Sequence, residues 1–298
     1  MVTCYNFIMQ KDGNSVLFEE MFDYAGLLPP AALPMDEAVP EYLRHIAGEE
    51  SWLVSKFVCP INWLGEFLSR LSSCEGRTSV PLSVLGTSVE GHRADTLAME
   101  RFLAEAGPDV SIDGYEVKLG KDAQANAGLK SLAKEDRWDI FIELPWTENL
   151  DADIELVASF ETLGTKARLG GLEASAIPSC EQVARFIRGS ADMEIPFKMT
   201  AGLHHPWRHF DAALGCNLHG FFNVAWASAL AVLHDLPDAE LVPILASGRP
   251  DDLSVSESGI TAFGTTLSQD DLEESRNIGL ATIGSCSISE PFSDLQKL

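Results

Sequence analysis

Four of the nine lysines in this chain, Lys56, Lys118, Lys166 and Lys198, fall inside short apolar runs with the pattern of β-strands. An ammonium group in such a run is costly unless it is paired or used. Lys198 stands two residues before Thr200 in IPFKMTAGL, and Lys166 stands two before Arg168 in GTKARLGG. Strand alternation puts each pair on one face. If those faces converge, the cations attract a phosphate or carboxylate. Crowding also depresses a lysine pKa, which makes the amine a nucleophile toward a carbonyl carbon. Lys198 is the candidate nucleophile. Lys56, Lys118, Lys166, Arg168 and Thr200, with Asp23 and Tyr24 from FDYAG, are the candidate substrate-binding set. Glu143, at the end of WDIFIEL, is a candidate proton carrier. The same lysines also suit structural ion pairs with Glu143, Glu116, Asp23 or Glu173.

Five of the seven histidines lie between positions 204 and 234, beginning with the pair His204-His205. A histidine in the loop after the strand of Lys198 suits general acid/base work near neutral pH. His204 or His205 is expected in that role, with adjacent side chains pointing opposite ways. The alternative is a divalent metal held by histidines of the 204–219 cluster with Glu143 or Asp23, serving a hydrolase or lyase. His205 and His209 are four apart and would share a face on a helix, but Pro206 disfavours a helix running back through His205. His219, just before the apolar stretch GFFNVAWASALAVL, is expected as a helix-packing or surface residue, or else close to the same mouth.

The segment Lys198-Met-Thr-Ala-Gly202 resembles the K-x-[ST]-x-G strand segments of deoxyribose-phosphate aldolase and related class I aldolases. In that family such lysines form or support a Schiff base with a carbonyl substrate, so the resemblance implies lyase chemistry without a metal cofactor. Lys166-Ala-Arg-Leu-Gly170 keeps the lysine-to-glycine spacing, with Arg168 where the family has a small hydroxyl residue. The resemblance covers about ten residues of the 298.

These residues need a scaffold that brings strand ends together. Apolar strand patterns recur at 16–26, 51–60, 80–86, 113–120, 138–146, 164–171 and 195–203. Helical patterns lie between them, at 62–73, 94–107 and 178–190, the last opening on a Ser179–Gln182 capping box. Alternation of this kind predicts βα units and a parallel sheet. With an eighth strand from 260–264 or 280–287, the chain makes a single (β/α)8 TIM barrel over residues 1–298, whose chemistry belongs at the C-terminal ends of its strands. A doubly wound open sheet is the alternative, but no GxGxxG or GxxxxGK[ST] turn follows any strand. The glycine pair 170–171 and Ala201-Gly202 close neighbouring strands, where backbone N–H groups can approach an anion. FDYAGLLPPAALP (22–34) forms a long first loop, a candidate wall over the site.

Composition narrows the classes. A net charge of −24 argues against nucleic acid or an anionic membrane as partner. The longest apolar stretch, 220–233, is too short to span a bilayer. The N-terminus MVTCYNFIMQKDG lacks the pattern of a signal peptide. The six cysteines, at 4, 59, 74, 180, 216 and 286, have no paired spacing and fit reduced thiols in a cytoplasmic protein. The expectation is a cytoplasmic barrel enzyme, able to form homo-oligomers, that works on a small anionic carbonyl metabolite by aldolase- or lyase-type chemistry. A non-catalytic barrel that binds a metabolite or protein is the other class. It requires each of the four lysines to be neutralised by a carboxylate, with no open polar pocket.

Overall fold

The computed structural model describes residues 12–74, 79–120 and 124–298. The N-terminal stretch MVTCYNFIMQKDG, on which the signal-peptide expectation rests, lies outside them apart from its last two residues, and so does Cys4. Eight parallel strands close into a barrel: β1 (Phe22–Tyr24), β2 (Val54–Pro60), β3 (Val80–Leu85), β4 (Val110–Lys118), β5 (Asp139–Glu143), β6 (Leu163–Arg168), β7 (Phe197–Thr200) and β8 (Leu280–Ser285). Each strand pairs with its sequence neighbours, and β8 closes the ring against β1. Helices alternate with the strands and cover the outside, as expected of a (β/α)8 barrel.

Two sequence expectations change. Residues 16–18 are helical, not the start of β1. The helix Gly13–Phe18 begins where the Asp12 carboxylate accepts the Ser15 N–H at 2.9 Å, and it buries Val16, Leu17 and Phe18. Of the two candidates for the eighth strand, 280–285 enters the barrel. Residues 259–262 instead form a three-stranded antiparallel sheet with 254–256 and 265–268. The reason is the turn: Phe263 and Gly264 have φ of 52° and 76°. Two consecutive positive φ values make the tight turn that suits a hairpin, and Asp252 fixes it by accepting both their N–H groups.

The expected helices form. Helix Cys180–Asp192 starts at Ser179, whose hydroxyl accepts the Gln182 N–H while the Gln182 side chain accepts the Ser179 N–H. The apolar stretch becomes helix Phe221–Leu233, buried on nearly every face. Among the described residues no helix is long and apolar enough to cross a membrane. Between β7 and this helix runs the histidine-bearing loop, followed by a short antiparallel hairpin of His209–Asp211 and Cys216–Leu218. His209 therefore lies on a strand, and the helical pairing of His205 with His209 does not occur. Their rings nevertheless meet edge to face, 4.8 Å apart.

Outward-facing strand residues build an apolar layer against the helices: Phe57 of β2 packs against Tyr42 of the helix Met35–Ala47 and Phe67 of the helix Leu64–Ser72. The middle of the barrel interior differs. Such interiors are usually packed with branched apolar side chains, yet here Asp23, Ser83, Glu116, Lys166, Lys198 and Thr282 occupy it, all buried. This polar layer positions the site.

Candidate active site

Register decides which side chains meet. Lys166 of β6 lies opposite Lys198 of β7 and, on its other side, Glu143 of β5; Arg168 lies opposite Thr200. Lys198 reaches across the barrel, its Nζ ion-paired with Asp23 of β1 and with Glu116 of β4, neither strand adjacent to β7. Such contacts are possible only for side chains that point inward. Lys166 Nζ contacts the other Glu116 oxygen at 2.7 Å and Glu143 Oε2 at 2.9 Å. The result is one continuous chain of charges: Asp23, Lys198, Glu116, Lys166, Glu143.

The remaining acceptor positions are filled. Thr282 Oγ1 donates to Asp23 Oδ2 at 2.9 Å, and the Lys56 N–H donates to Asp23 Oδ1 at 3.0 Å. Ser83 Oγ donates to Glu116 Oε1 at 2.6 Å. Burial of so many charges is tolerable because each is paired and hydrogen-bonded.

The electrostatics correct the expected depressed lysine. Burial works against the ammonium of Lys198, but Asp23 and Glu116 outweigh it and hold its pKa above the ordinary lysine value. Lys166 is likewise pulled down by burial and raised overall by Glu116 and Glu143. Burial would raise Glu116, yet Lys166 and then Lys198 hold it far below the usual carboxylate range. Asp23 is lowered against its burial by Lys198 and Lys56, and Glu143 against its burial by Lys166, Lys118 and Arg168. Three carboxylates outnumber two ammonium groups, so both lysines rest protonated.

Above this layer opens a cavity of about 360 Å³ at the C-terminal ends of the strands. Its polar wall is Glu116, Lys118, Glu143, Lys166, Arg168 and Thr200. Lys118 makes no ion pair with a described residue, and Arg168 uses only its Nε, donated to the Gly170 carbonyl at 3.0 Å. Two cations are thus free to receive an anion. Pro29 and Pro30 of the long first loop form part of the opposite wall. A second cavity of about 250 Å³ adjoins it, sharing Arg168, His204, Ala201 and the two prolines.

The candidate residues divide accordingly. Glu143, Lys118, Lys166, Arg168, Thr200 and His204 line the larger cavity. Lys198 and Asp23 do not; they lie one layer deeper, 1% exposed. Lys56 does not line it either, and contributes its backbone N–H and its charge to Asp23. Tyr24 is on the outer face, because alternation that turns Asp23 inward turns Tyr24 outward. Its hydroxyl donates to Glu41 at 2.8 Å. His205 is exposed and bonded to Asp294 at 2.8 Å, away from the cavity.

His219 is occupied on both nitrogens. Nε2–H donates to the Pro178 carbonyl at 2.8 Å and Nδ1 accepts from Arg208 at 3.2 Å. Burial first, and then Arg208, depress its pKa to about 4. It has no free lone pair for a metal. The histidines of the 204–219 cluster each have separate protein partners, and Asp23 and Glu143 are tied to lysines.

Glu116, mentioned from sequence only as a possible structural partner, is the hinge of the network. Its signal was the alternation in YEVKL, which sets Glu116 on the same strand face as Lys118. Ser83 and Thr282 carry no such signal, since a hydroxyl in a strand is commonplace.

The end of β7 is also strained. Ala201 has φ of 68° and Gly202 of 75°, and a non-glycine residue in that region is costly. A side chain on Gly170 would meet Gly202 N at 2.7 Å, so the ends of β6 and β7 touch backbone to backbone. Compared with protein-family models, with curated proteins and with solved structures, the chain matches none.

Proposed function

We propose that this barrel is an enzyme that cleaves or forms a carbon–carbon bond in a small anionic carbonyl metabolite through a lysine Schiff base. The observation that carries this reading is a lysine on a cavity wall, held between two carboxylates and beside two cations, Lys118 and Arg168, that make no ion pair with a described residue. Lys166, not Lys198, is the nucleophile, since only Lys166 borders the cavity.

The anionic group of the substrate binds Lys118 and Arg168. Those cations help hold Glu143 ionised; once the substrate engages them, Glu143 becomes more basic and takes a proton from Lys166. The freed amine attacks the carbonyl carbon and passes one of its own protons to the carbonyl oxygen; the proton held by Glu143 then goes to that hydroxyl, which leaves as water. The protonated imine then accepts the electron pair of the bond between its α and β carbons as that bond breaks, while the β-hydroxyl gives its proton to Glu143 and becomes the carbonyl of the first product. The enamine takes that proton back at its α carbon, and hydrolysis releases the second product and restores Lys166. Lys198 supplies a fixed positive charge beneath Glu116 and keeps that carboxylate aimed at Lys166. The non-catalytic reading fits less well, because Lys118 has no ion pair with a described residue and the open cavity presents charged side chains in its wall.

Borohydride reduction in the presence of short 2-keto acids tests the reading. The intact protein is expected to gain the mass of one reduced adduct, and Lys166→Met to gain none. A folded wild-type protein that gains no mass with any short keto acid or aldehyde contradicts it.

A further inference from the structure

The cavity wall holds a second reactive group. Cys286, just beyond β8, lines the same cavity as His204. Its Sγ is 3.7 Å from His204 Nε2, and His204 Nδ1 is 3.1 Å from Glu290 Oε2. A carboxylate only accepts, so Nδ1 carries the hydrogen and Nε2 presents its lone pair to the thiol. The backbone at Ala31 and at Cys286 itself pulls the thiol pKa down against its burial. This is the nucleophile, base and orienting acid arrangement of covalent catalysis.

We propose that Cys286, His204 and Glu290 form a thiol nucleophile that adds to the carbonyl carbon of a small carboxylate-bearing aldehyde in this cavity. As Sγ bonds to that carbon, the thiol proton passes to His204 Nε2 and the carbonyl π pair moves to oxygen. Nε2 then returns the proton to that oxygen. The product is a thiohemiacetal, and no oxidant or reductant is consumed. Lys118 and Arg168 receive the carboxylate. His204 acts as the base, and Glu290 is a positioning residue.

Burial raises the Cys286 thiol and lowers His204, so the resting pair is neutral thiol and neutral imidazole. Besides Glu290, the charged or titratable groups facing the pair are Glu41 on the helix Met35–Ala47, His205 in the loop and His209 on the hairpin. The proposal is independent of which lysine acts, because its test reads sulfur.

The test is alkylation by iodoacetamide, followed cysteine by cysteine by peptide mass spectrometry. Cys74 and Cys216 are also partly exposed and have no histidine partner among the described residues, so they serve as internal references. At pH 7 Cys286 is expected to react at least tenfold faster than either. His204→Asn is expected to remove that advantage and to leave a reactivity that rises only in alkaline solution. Glu290→Gln is expected to shift the pH profile of Cys286 while leaving the references unmoved. Glyoxylate is expected to protect Cys286 reversibly, and glycolate, which lacks the carbonyl, is not.

Equal rates at Cys286 and the references, an unchanged rate in His204→Asn, or equal protection by the two anions would overturn the proposal. Protection by glyoxylate that is lost in Lys166→Met would assign the aldehyde to the lysine alone and overturn it as well. Absence of any lysine adduct leaves the sulfur result standing, so the two readings fail separately.

Discussion

Lys166 and Lys198 are the same residue type at paired positions on adjacent strands, yet they have different tasks because their depths differ. Their side chains are 6% and 2% exposed, and only the first meets the cavity. Glu116 binds both. Replacing it with glutamine keeps the shape but strips both lysines of a counter-charge in a buried layer. Loss of one partner from a buried charge network costs about 3–5 kcal/mol, so urea unfolding of Glu116→Gln is expected to show a clear fall in midpoint. A midpoint within error of wild type would mean that the network is not the anchor described.

The same layer dictates a pH dependence. Asp23, Glu116 and Glu143 have folded values below their ordinary ones, so their contribution is full above the unfolded carboxylate range and is lost as pH falls through the folded values. Lys166 and Lys198 have raised values, so their share is full below 10.5 and is lost as pH rises through the folded values. His219, depressed to about 4 from 6.5, contributes stability that is lost as pH falls between those limits. The melting temperature is therefore expected to form a plateau from about pH 7 to 10, with an acid limb that begins near the histidine range and steepens below it. A maximum near pH 5, measured by calorimetry, would contradict this.

At this scale the sequence was half legible. Alternation correctly paired Lys166 with Arg168 and Lys198 with Thr200 on inward faces. It carries no information on cross-strand register, which alone sets depth, so Lys198 stood out as the nucleophile. It also counted crowded cations without the carboxylates that strands β1 and β4 deliver from far away in sequence.

At the scale of elements, the close approach of β6 and β7 holds Arg168 and Thr200 at the rim. Gly170 permits it, because any Cβ there would press on the backbone of Ala201 and Gly202. Gly170→Ala is expected to cost about 1–3 kcal/mol through overpacking. It is also expected to lower the yield of borohydride-trapped keto acid several-fold, by moving Arg168 away from the carboxylate. A stable variant with normal trapping would show that the strand ends need not touch.

Strands β2 to β7 were legible because each is a short apolar run bounded by turn residues. The eighth was not, since ITAFG and LATIGS have the same local pattern. What separates them is the positive-φ turn at Phe263-Gly264, which commits the first to a hairpin. The helix at Gly13–Phe18 was hidden for a related reason: six residues, of which only Val16, Leu17 and Phe18 are apolar, have too few turns to show a helical period.

At the scale of the whole molecule, a chain of net charge −24 carries a cationic pocket rim. The distant surface repels an anionic metabolite, while Lys118 and Arg168 attract it at contact. Salt screens charges beyond a Debye length of about 8 Å at 0.15 M far more than contacts inside a cavity. Affinity for a short keto acid is therefore expected to hold or tighten as ionic strength rises from low to physiological, as read by titration calorimetry. Lys118→Met and Arg168→Met are each expected to weaken it by roughly tenfold, the loss of a charge-assisted hydrogen bond of about 1.5 kcal/mol. Affinity that falls steeply with salt would place the anion on the exposed surface instead.

The barrel itself was legible from the alternation of its elements, because that pattern is a property of the whole chain. The polar interior was not, since it exists only once eight strands close. The most direct measurement of the central claim is peptide mapping of the borohydride-trapped adduct. The expected result is a single modified lysine, Lys166, with Lys198 unmodified in its buried pair with Asp23 and Glu116. Modification of Lys198, or of neither lysine while the protein is folded, would contradict it.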